Sequence, residues 1–357
     1  MFLAWNEIKQ NKLRFILISS VLLLIAYLVF FLSGLVNGLA NMNREAVDKW
    51  QADAIILTDE SDKSLPQSIL STDDVSQVKN TNHLAPIAQI NAIASRVSDE
   101  DTRQGVAIFA VQPDDFIAPN ITDGHMFGRK GDVVAADYLK SEGFKVGDKV
   151  KLSSSDEYVT IVGFTDHARF NAAPVLYTSF ETMQQIKGLP IESDPLVNAV
   201  VVQSENISTI KVPTSLEVVE TETFIEKLPG YAAQNITLTL MIAFLIVISS
   251  VIIAIFLYVL TVQKASMFGV LKAQGISNAY LARSVVAQTF ILTVVGVALG
   301  FALTWLTGAF LPYKVPVQFD ILSMLIYALI FIIVAILGAV FSVLSIFKID
   351  PLKAIGG

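Results

Sequence analysis

The sequence predicts an α-helical membrane protein with four transmembrane helices and an α+β extracytoplasmic domain inserted between helices 1 and 2. Three observations predict this class: four long apolar stretches, one long polar segment after the first stretch, and basic residues that collect in short connecting segments. A bilayer core about 30 Å thick takes about 20 helical residues. The apolar stretches contain no Asp, Glu, Lys, Arg or His and cover residues 15–39, 236–262, 285–311 and 321–347.

The first segment, residues 1–14, is predicted to be a cytoplasmic amphipathic helix. Phe2, Trp5 and Ile8 recur on one helical face, which is typical of a helix lying along the inner leaflet. An ordinary cytoplasmic tail is the alternative. The other predicted segments are transmembrane helix 1 at 15–39, the extracytoplasmic domain at 40–235, transmembrane helix 2 at 236–262, a cytoplasmic coupling segment at 263–284, transmembrane helix 3 at 285–311, a short outer loop at 312–320, transmembrane helix 4 at 321–347 and a cytoplasmic tail at 348–357.

The distribution of charge predicts the orientation. The segments 1–14, 263–284 and 348–357 together hold eight Lys or Arg against two acidic residues, and the positive-inside bias places them in the cytoplasm. Both termini are then cytoplasmic. The segment 40–235 lies outside and carries 16 basic against 29 acidic residues, which excludes nucleic acid as a partner. The run at 15–39 is too long for the core of a cleaved signal peptide, so we expect a retained membrane anchor.

Several function classes are excluded by residues that the sequence lacks. It contains no Cys, so disulfides, thiolate metal sites and cysteine nucleophiles are absent. Ion-coupled carriers keep ionisable groups at membrane depth, and these spans have none. The phosphate-binding pattern G-x-x-x-x-G-K-[ST] is also missing. Three scattered histidines form no catalytic constellation. We therefore expect a non-catalytic subunit and, if ATP drives it, a separate ATPase.

The polar segment 40–235 is predicted to alternate short strands and short helices. Gly147 and Asp148 form a turn pattern between two extended runs, because Gly147 tolerates a positive φ. The predicted strands, rich in Val and Ile, are 54–58, 89–97, 106–111, 149–152, 158–163 and 197–202. The predicted helices are 72–79, 137–142 and 179–186, with Thr72 and Ser179 as N-caps of the first and last.

The segment between the second and third spans carries apolar residues that suggest a docking surface. They are Met267, Phe268, Val270 and Leu271, and we predict that they couple the chain to its ATPase. The alternative, compatible with docking, is that the second span continues inward as a helix.

Two stretches carry a resemblance to a known family. The residues "LTVQKASMFGVLKAQGIS" (260–277) and the end "FKIDPLKAIGG" (347–357) resemble the permeases of MacB-type ABC transporters, which share the FtsX membrane fold. The start "NEIKQNKLRFILI" and the segment "LVFFLSGLVNGL" (28–39) resemble its HrtB-like, heme-exporting branch. The resemblance implies a multi-pass protein of the bacterial cell membrane that binds a second copy of itself, membrane lipid and two copies of a cytoplasmic ABC ATPase. The ATPase uses the ATP, and its closure would move the spans as a lever.

The resemblance to a dimeric family directs attention to small-residue spacings in the spans. Gly34 and Gly38, and likewise Gly296 and Gly300, are four apart and allow close approach of helix backbones. We predict that Gly34 and Gly38 lie at the dimer seam.

The heme-exporting branch further implies a heme site, with heme as transported substrate and no intrinsic cofactor. Trp50 and Tyr231 match its expected aromatic positions, with Tyr231 as the candidate iron ligand. At the third position the branch shows Tyr, whereas this chain has Phe170, and His167 is a substitute ligand. The alternatives are an interfacial aromatic belt for Trp50 and Tyr231 and a solvent-facing loop for His167.

Two other functions remain open. The same lever is compatible with export of peptide antibiotics or lipid-like toxins. An FtsX-like transmitter that moves no substrate and acts on an extracellular partner is the second alternative.

Overall fold

The computed structural model describes residues 12–153, 155, 157–190, 194–263, 265–312 and 315–347. The predicted amphipathic helix falls on residues outside this set apart from 12–14, and the predicted tail 348–357 lies outside it entirely. The chain divides into two compact units, which we call the helical unit (residues 1–39 and 235–357) and the inserted domain (residues 40–234).

Among the described residues, four helices are long and apolar enough to cross a membrane. Their qualifying parts are Phe15–Lys49, Tyr231–Phe256, Asn278–Phe310 and Ile321–Phe341. The α-helices in chain order are α1 Lys12–Lys49, α2 Thr72–Ser76, α3 Tyr138–Ser141, α4 Phe180–Ile186, α5 Thr221–Glu226, α6 Tyr231–Gln263, α7 Ala265–Ala273, α8 Asn278–Phe310 and α9 Ile321–Phe347. The α+β domain is inserted between the first and second membrane helices.

Several helices differ from the sequence-based bounds: α6 and α8 begin at Tyr231 and Asn278, five and seven residues before the predicted starts. Helix α1 continues ten residues past 39, because its polar end carries opposite charges four residues apart that support helix. It ends before Gln51, which has a left-handed φ of 49°. The predicted coupling segment is itself helical, as α7, and Ser277 caps α8 by accepting a hydrogen bond from the backbone N–H of Tyr280.

The inserted domain is built on one sheet of eleven strands. The strands are β1 Ala54–Thr58, β2 His83–Arg96, β3 Asp99–Ala110, β4 Asp123–Gly124, β5 Asp132–Ala136, β6 Lys149–Leu152, β7 Tyr158–Thr165, β8 Arg169–Phe170, β9 Ala173–Thr178, β10 Ala199–Gln203 and β11 Leu216–Glu220. The antiparallel part has the order β11-β1-β10-β2, with Ile55 of β1 opposite Val201 and Val219. The first and last strands of the domain are thus neighbours.

The remaining main strands close into a ring. Strand β2 pairs with β3 and with β6, and the path continues through β9, β5 and β7 back to β6. The pairs β3–β9 and β5–β7 are parallel, and the others in the ring are antiparallel. Strand β2 reaches both parts because it is fourteen residues long. The ring surrounds an apolar cluster that includes Ile108, Phe144, Ile161, Phe164 and Leu176.

The helical unit has its own core, and α1 contributes much of it. Phe15, Leu22, Ala26 and Phe30 of α1 are buried in one cluster with residues of α8 and α9, among them Phe331. Helix α6 contributes less, since 17% of its most apolar stretch is buried, against 44% for α8.

Candidate functional site

The predicted coupling residues divide between two faces of α7. Phe268 is 2% exposed and packs against Leu281 of α8, and Leu271 packs partly against the same cluster. Met267 and Val270 are 41% and 43% exposed. Of the four residues, Met267 and Val270 present exposed apolar surface, and the other two pack α7 against α8.

The predicted dimer glycines are in close contact with the chain's own outer loop. A Cβ at Gly34 would lie 2.5 Å from the ring of Phe319, and a Cβ at Gly38 would overlap the carbonyl oxygen of Pro316. The backbone N–H of Gln318 donates to the carbonyl of Gly34 at 2.9 Å. This side of α1 is therefore occupied within one chain. Whether a second copy also reaches these glycines stays a prediction.

The second glycine pair joins α8 to α1. A Cβ at Gly296 would lie 2.7 Å from the Cβ of Leu22, and one at Gly300 would lie 2.9 Å from the Cβ of Ala26. Without glycine the two helix backbones could not approach so closely. Small-residue spacing thus serves packing inside the helical unit.

The aromatic residues predicted for the heme site belong to one cluster of the inserted domain. Trp50 is 1% exposed, and its ring lies 5.8 Å from that of Phe109. Phe170 is 2% exposed and lies 5.2 Å from Phe109, edge to face. Tyr231, 7% exposed, joins the same cluster. The fold brings the predicted residues together but covers the faces of Trp50 and Phe170 with its own side chains.

His167 and Arg169 lie at the border of this cluster. His167 is exposed, with a left-handed φ of 42°. The guanidinium of Arg169 stacks 3.3 Å above the ring of Tyr138, whose hydroxyl donates to Glu45 at 2.8 Å. Of these groups, His167 alone was predicted as a site residue, and it is open to solvent.

The polar end of α1 forms three anchors that sequence reasoning missed. Arg44 contacts α5 through Glu222, Glu45 contacts α3 through Tyr138, and Lys49 contacts the loop after β7 through Asp166. The signal was present in "NREAVDK", where Arg44 and Asp48, and Glu45 and Lys49, stand four apart just after an apolar span.

Carboxyl groups around this end of α1 have shifted pKa values in opposite directions. The hydrogen bond from Lys49 is the main cause that lowers the pKa of Asp166, and Asn120 adds to it. Burial is the main cause that raises the pKa of Asp137, and the charge of Asp166 adds to it. The surroundings thus favour the charged form of Asp166 and the neutral form of Asp137.

The helical unit contains a small cavity between α1, α6 and α8, of about 20 Å³. Its lining is apolar apart from Thr289 and Thr293, and it includes Leu22, Ile253 and Phe256. The hydroxyl of Thr289 donates to the carbonyl of Val285. Such a space suits adjustment between helices better than recognition of a polar solute.

Two families of known proteins match the chain. The family described as "MacB-like periplasmic core domain" matches residues 15–212, and "FtsX-like permease C-terminal" matches residues 239–351. The first match covers the first span and most of the inserted domain, and the second covers the last three spans, in the order that the structure shows.

Curated relatives match over the full length. A Staphylococcus haemolyticus protein named "Putative hemin transport system permease protein HrtB" is 26% identical over 100% of this chain and 99% of its own length. A Staphylococcus epidermidis protein of the same name is 28% identical with the same coverage. Among solved structures, the extracellular domain of the ABC-type transporter YknZ from Gram-positive bacteria covers 47% of this chain and 100% of its own, with 11% identity and a TM-score of 0.34. Because the MacB-like match alone spans more than half of the chain, the protein belongs to the family of MacB-type, FtsX-like ABC transporter permeases.

Proposed function

We propose that this permease exports heme and that a separate cytoplasmic ATPase supplies the energy. The observation that carries the proposal is the full-length similarity to relatives named for hemin transport. The four spans carry no ionisable side chain at membrane depth. This favours a route along lipid and protein surfaces, which suits a flat and largely apolar porphyrin, over a water-filled channel.

Transport by the purified permease–ATPase complex in heme-loaded liposomes tests this. We expect ATP-dependent transfer of heme to an apo-globin outside, measured by its absorbance band, and no transfer with a hydrolysis-deficient ATPase. ATP hydrolysis without movement of heme would contradict the proposal. Stimulation of hydrolysis by peptide antibiotics would then favour the toxin-export alternative.

Within the proposed site, Tyr231 and His167 are the candidate iron ligands. Tyr231 is a member of the aromatic cluster and is 7% exposed, and His167 has an exposed imidazole. Trp50 and Phe170 would support this site from the core, because their rings are covered. Tyr231→Phe and His167→Ala should each change the absorbance band of bound heme if they ligate iron. An unchanged band in both variants would place the iron elsewhere.

The exposed side of α7 is the proposed ATPase contact. Met267→Asp and Val270→Asp place a charge on an apolar docking surface, and burying it unpaired would cost several kcal/mol. We expect loss of ATPase pull-down with an unchanged melting temperature. Phe268→Ala is the matched control, because it removes packing against α8 and should lower the melting temperature instead. Normal pull-down by both Asp variants would contradict this contact.

We propose that a second copy packs along α6, with each copy binding one ATPase subunit and both termini in the cytoplasm. Helix α6 presents Leu240, Phe244, Val247 and Val251 in one stripe, each more than half exposed. The chain has no Cys, so single cysteines report contacts cleanly. Val247→Cys should cross-link two copies, whereas Leu325→Cys on α9, also more than half exposed, should not. The reverse pattern would place the seam on α9.

A further inference from the structure

One guanidinium links the helix that leads into the inserted domain to the helix that leads out of it. Arg44 lies on α1, four residues past the start of the domain. Its Nε donates to Asp48 at 2.8 Å, and its Nη1 and Nη2 donate to the two carboxylate oxygens of Glu222 at 2.8 Å each. The phenol of Tyr231, the first residue of α6, is among the groups that favour the charged form of this guanidinium and raise its pKa.

The geometry needs arginine. A guanidinium has five N–H donors in a rigid plane. Here one edge of that plane donates to Asp48 and another edge donates to Glu222. The side chain is 22% exposed, so solvent reaches the network only in part. A lysine would carry the charge but could not donate in the bidentate way to Glu222 while also donating to Asp48.

We propose that Arg44 is a positioning residue that fixes the start of α6 to the end of α1, so that the two helices entering and leaving the inserted domain move together. Glu222 completes the clamp, because α5 is joined to α6 by four residues. Only the expected effect on export rests on the proposed transport function. A permease that transmits motion through these helices would export less per ATP hydrolysed if one helix could move without the other.

Lys49 provides a matched control on the same helix. Its Nζ lies 2.9 Å from Asp166, with side-chain exposures of 23% and 40%, close to the 22% and 44% of Arg44 and Asp48. Its partners Thr165 and Asp166 belong to β7 and the loop that follows. Lys49 therefore anchors α1 to the sheet and leaves α6 untouched.

Spin labels on the full-length permease test the clamp without transport. Ala232→Cys at the start of α6 and Glu60→Cys beside β1 are both exposed sites, and the chain has no other Cys. We expect Arg44→Gln and Arg44→Lys to broaden the distribution of label distances, and Glu222→Ala to do the same. The double variant Arg44→Gln with Glu222→Ala should broaden it no further, because both changes remove one clamp. Lys49→Gln should leave it narrow.

The functional readout is heme exported per ATP hydrolysed by the complex with its ATPase. We expect Arg44→Gln to lower this ratio about fivefold or more, within the range of site-to-site coupling, and Lys49→Gln to preserve it. The melting temperature should stay within about 4 °C of the parent, because the carboxylate partners are exposed.

Each outcome decides the proposal. An unchanged distance distribution in Arg44→Gln overturns the clamp, and equal broadening in Lys49→Gln overturns its specificity for α6. A broadened distribution with an unchanged export ratio overturns its role in transport. If no variant or parent exports heme, the proposed function fails while the label distances still test the clamp.

Discussion

Replacing Trp50 by Ala separates a structural role from a role in heme contact. The ring is 1% exposed and packs on Phe109 within the main cluster of the inserted domain. A tryptophan side chain buries about 200 Å², which at about 25 cal/mol per Å² is worth about 5 kcal/mol. Measured truncations of buried Phe or Trp to Ala cost about 3–5 kcal/mol. We expect Trp50→Ala to destabilise the domain by about 3–5 kcal/mol with or without heme.

For a domain of this size, about 1 kcal/mol shifts the melting temperature by about 2–4 °C. Thermal unfolding of the detergent-purified permease without heme should therefore move down by about 6–20 °C. Trp50→Phe is the control. It keeps most of the ring and removes an indole N–H that has no hydrogen-bond partner among the described residues, so it should cost less than about 1.5 kcal/mol.

The reasoning is refuted if Trp50→Ala melts within about 2 °C of the parent and still loses bound heme. That result would mean that the ring is held by the substrate and not by the domain core.

Three further predictions follow from contacts described above. Gly38→Ala should lower the melting temperature more than Gly34→Ala, because the Cβ added at Gly38 meets backbone and the one added at Gly34 meets a ring that can turn. Gly105→Ala is the control, since its Cβ meets nothing within 4 Å and should be tolerated. Equal losses of melting temperature in Gly38→Ala and Gly34→Ala would argue against this ranking. The pKa of Asp166 is lowered in the folded state, so its contribution to the free energy of unfolding is present above a pH of about 4 and is lost as the pH falls. In urea titrations, Asp166→Asn should therefore lose less free energy of unfolding on acidification than the parent. Identical pH profiles of the two proteins would disprove this. Ser71→Ala should cost about 0.5–2 kcal/mol, because Ser71 caps α2 in a reciprocal capping box, and a loss below the error of the denaturation curves would show that the cap is dispensable.

Local patterns predicted much of the fold. The strands at 54–58 and 149–152 have the predicted bounds, since Val- and Ile-rich runs stand between turn residues. Ser179 caps α4 as predicted, and Gly147 has the expected positive φ of 93°. The predicted N-cap Thr72 was wrong, because Ser71 makes the capping bonds.

Other strands were missed because only pairing stabilises them. Strand β9 contains Pro174 near its start, which argues against a strand locally, yet it lies between β3 and β5. Strand β5 is short and ends in two alanines, and β11 contains Glu217 and Glu220 among its five residues. Their partners are distant in sequence, so no local window shows them.

The sequence indicated which aromatic residues come together, but it did not indicate whether their side chains are buried or exposed. An aromatic just beyond an apolar span can face lipid, substrate or a domain core, and periodicity does not distinguish these environments. Trp50 is buried in the domain core because α1 continues into the domain. The opposite charges four residues apart in "NREAVDK" indicate that continuation. The spacing of Gly34 and Gly38 likewise did not indicate the contact with residues 316–319 of the same chain, and their place at a dimer seam stays a prediction.

The arrangement of the strands also sets when the domain can fold during synthesis. Strand β1 pairs only with β10 and β11 within the described sheet, and the cluster around Trp50 includes Tyr231. At about 5–20 residues per second, the roughly 180 residues between them take about 10–40 s to make. Strand β1 therefore stays unpaired on the nascent chain until β10 and β11 are made, and the cluster around Trp50 is complete only when Tyr231 follows. Completion of the domain core and synthesis of the second span then fall in the same interval. A ribosomal pause before β10 would leave the edges of β1 unpaired for as long as the pause lasts.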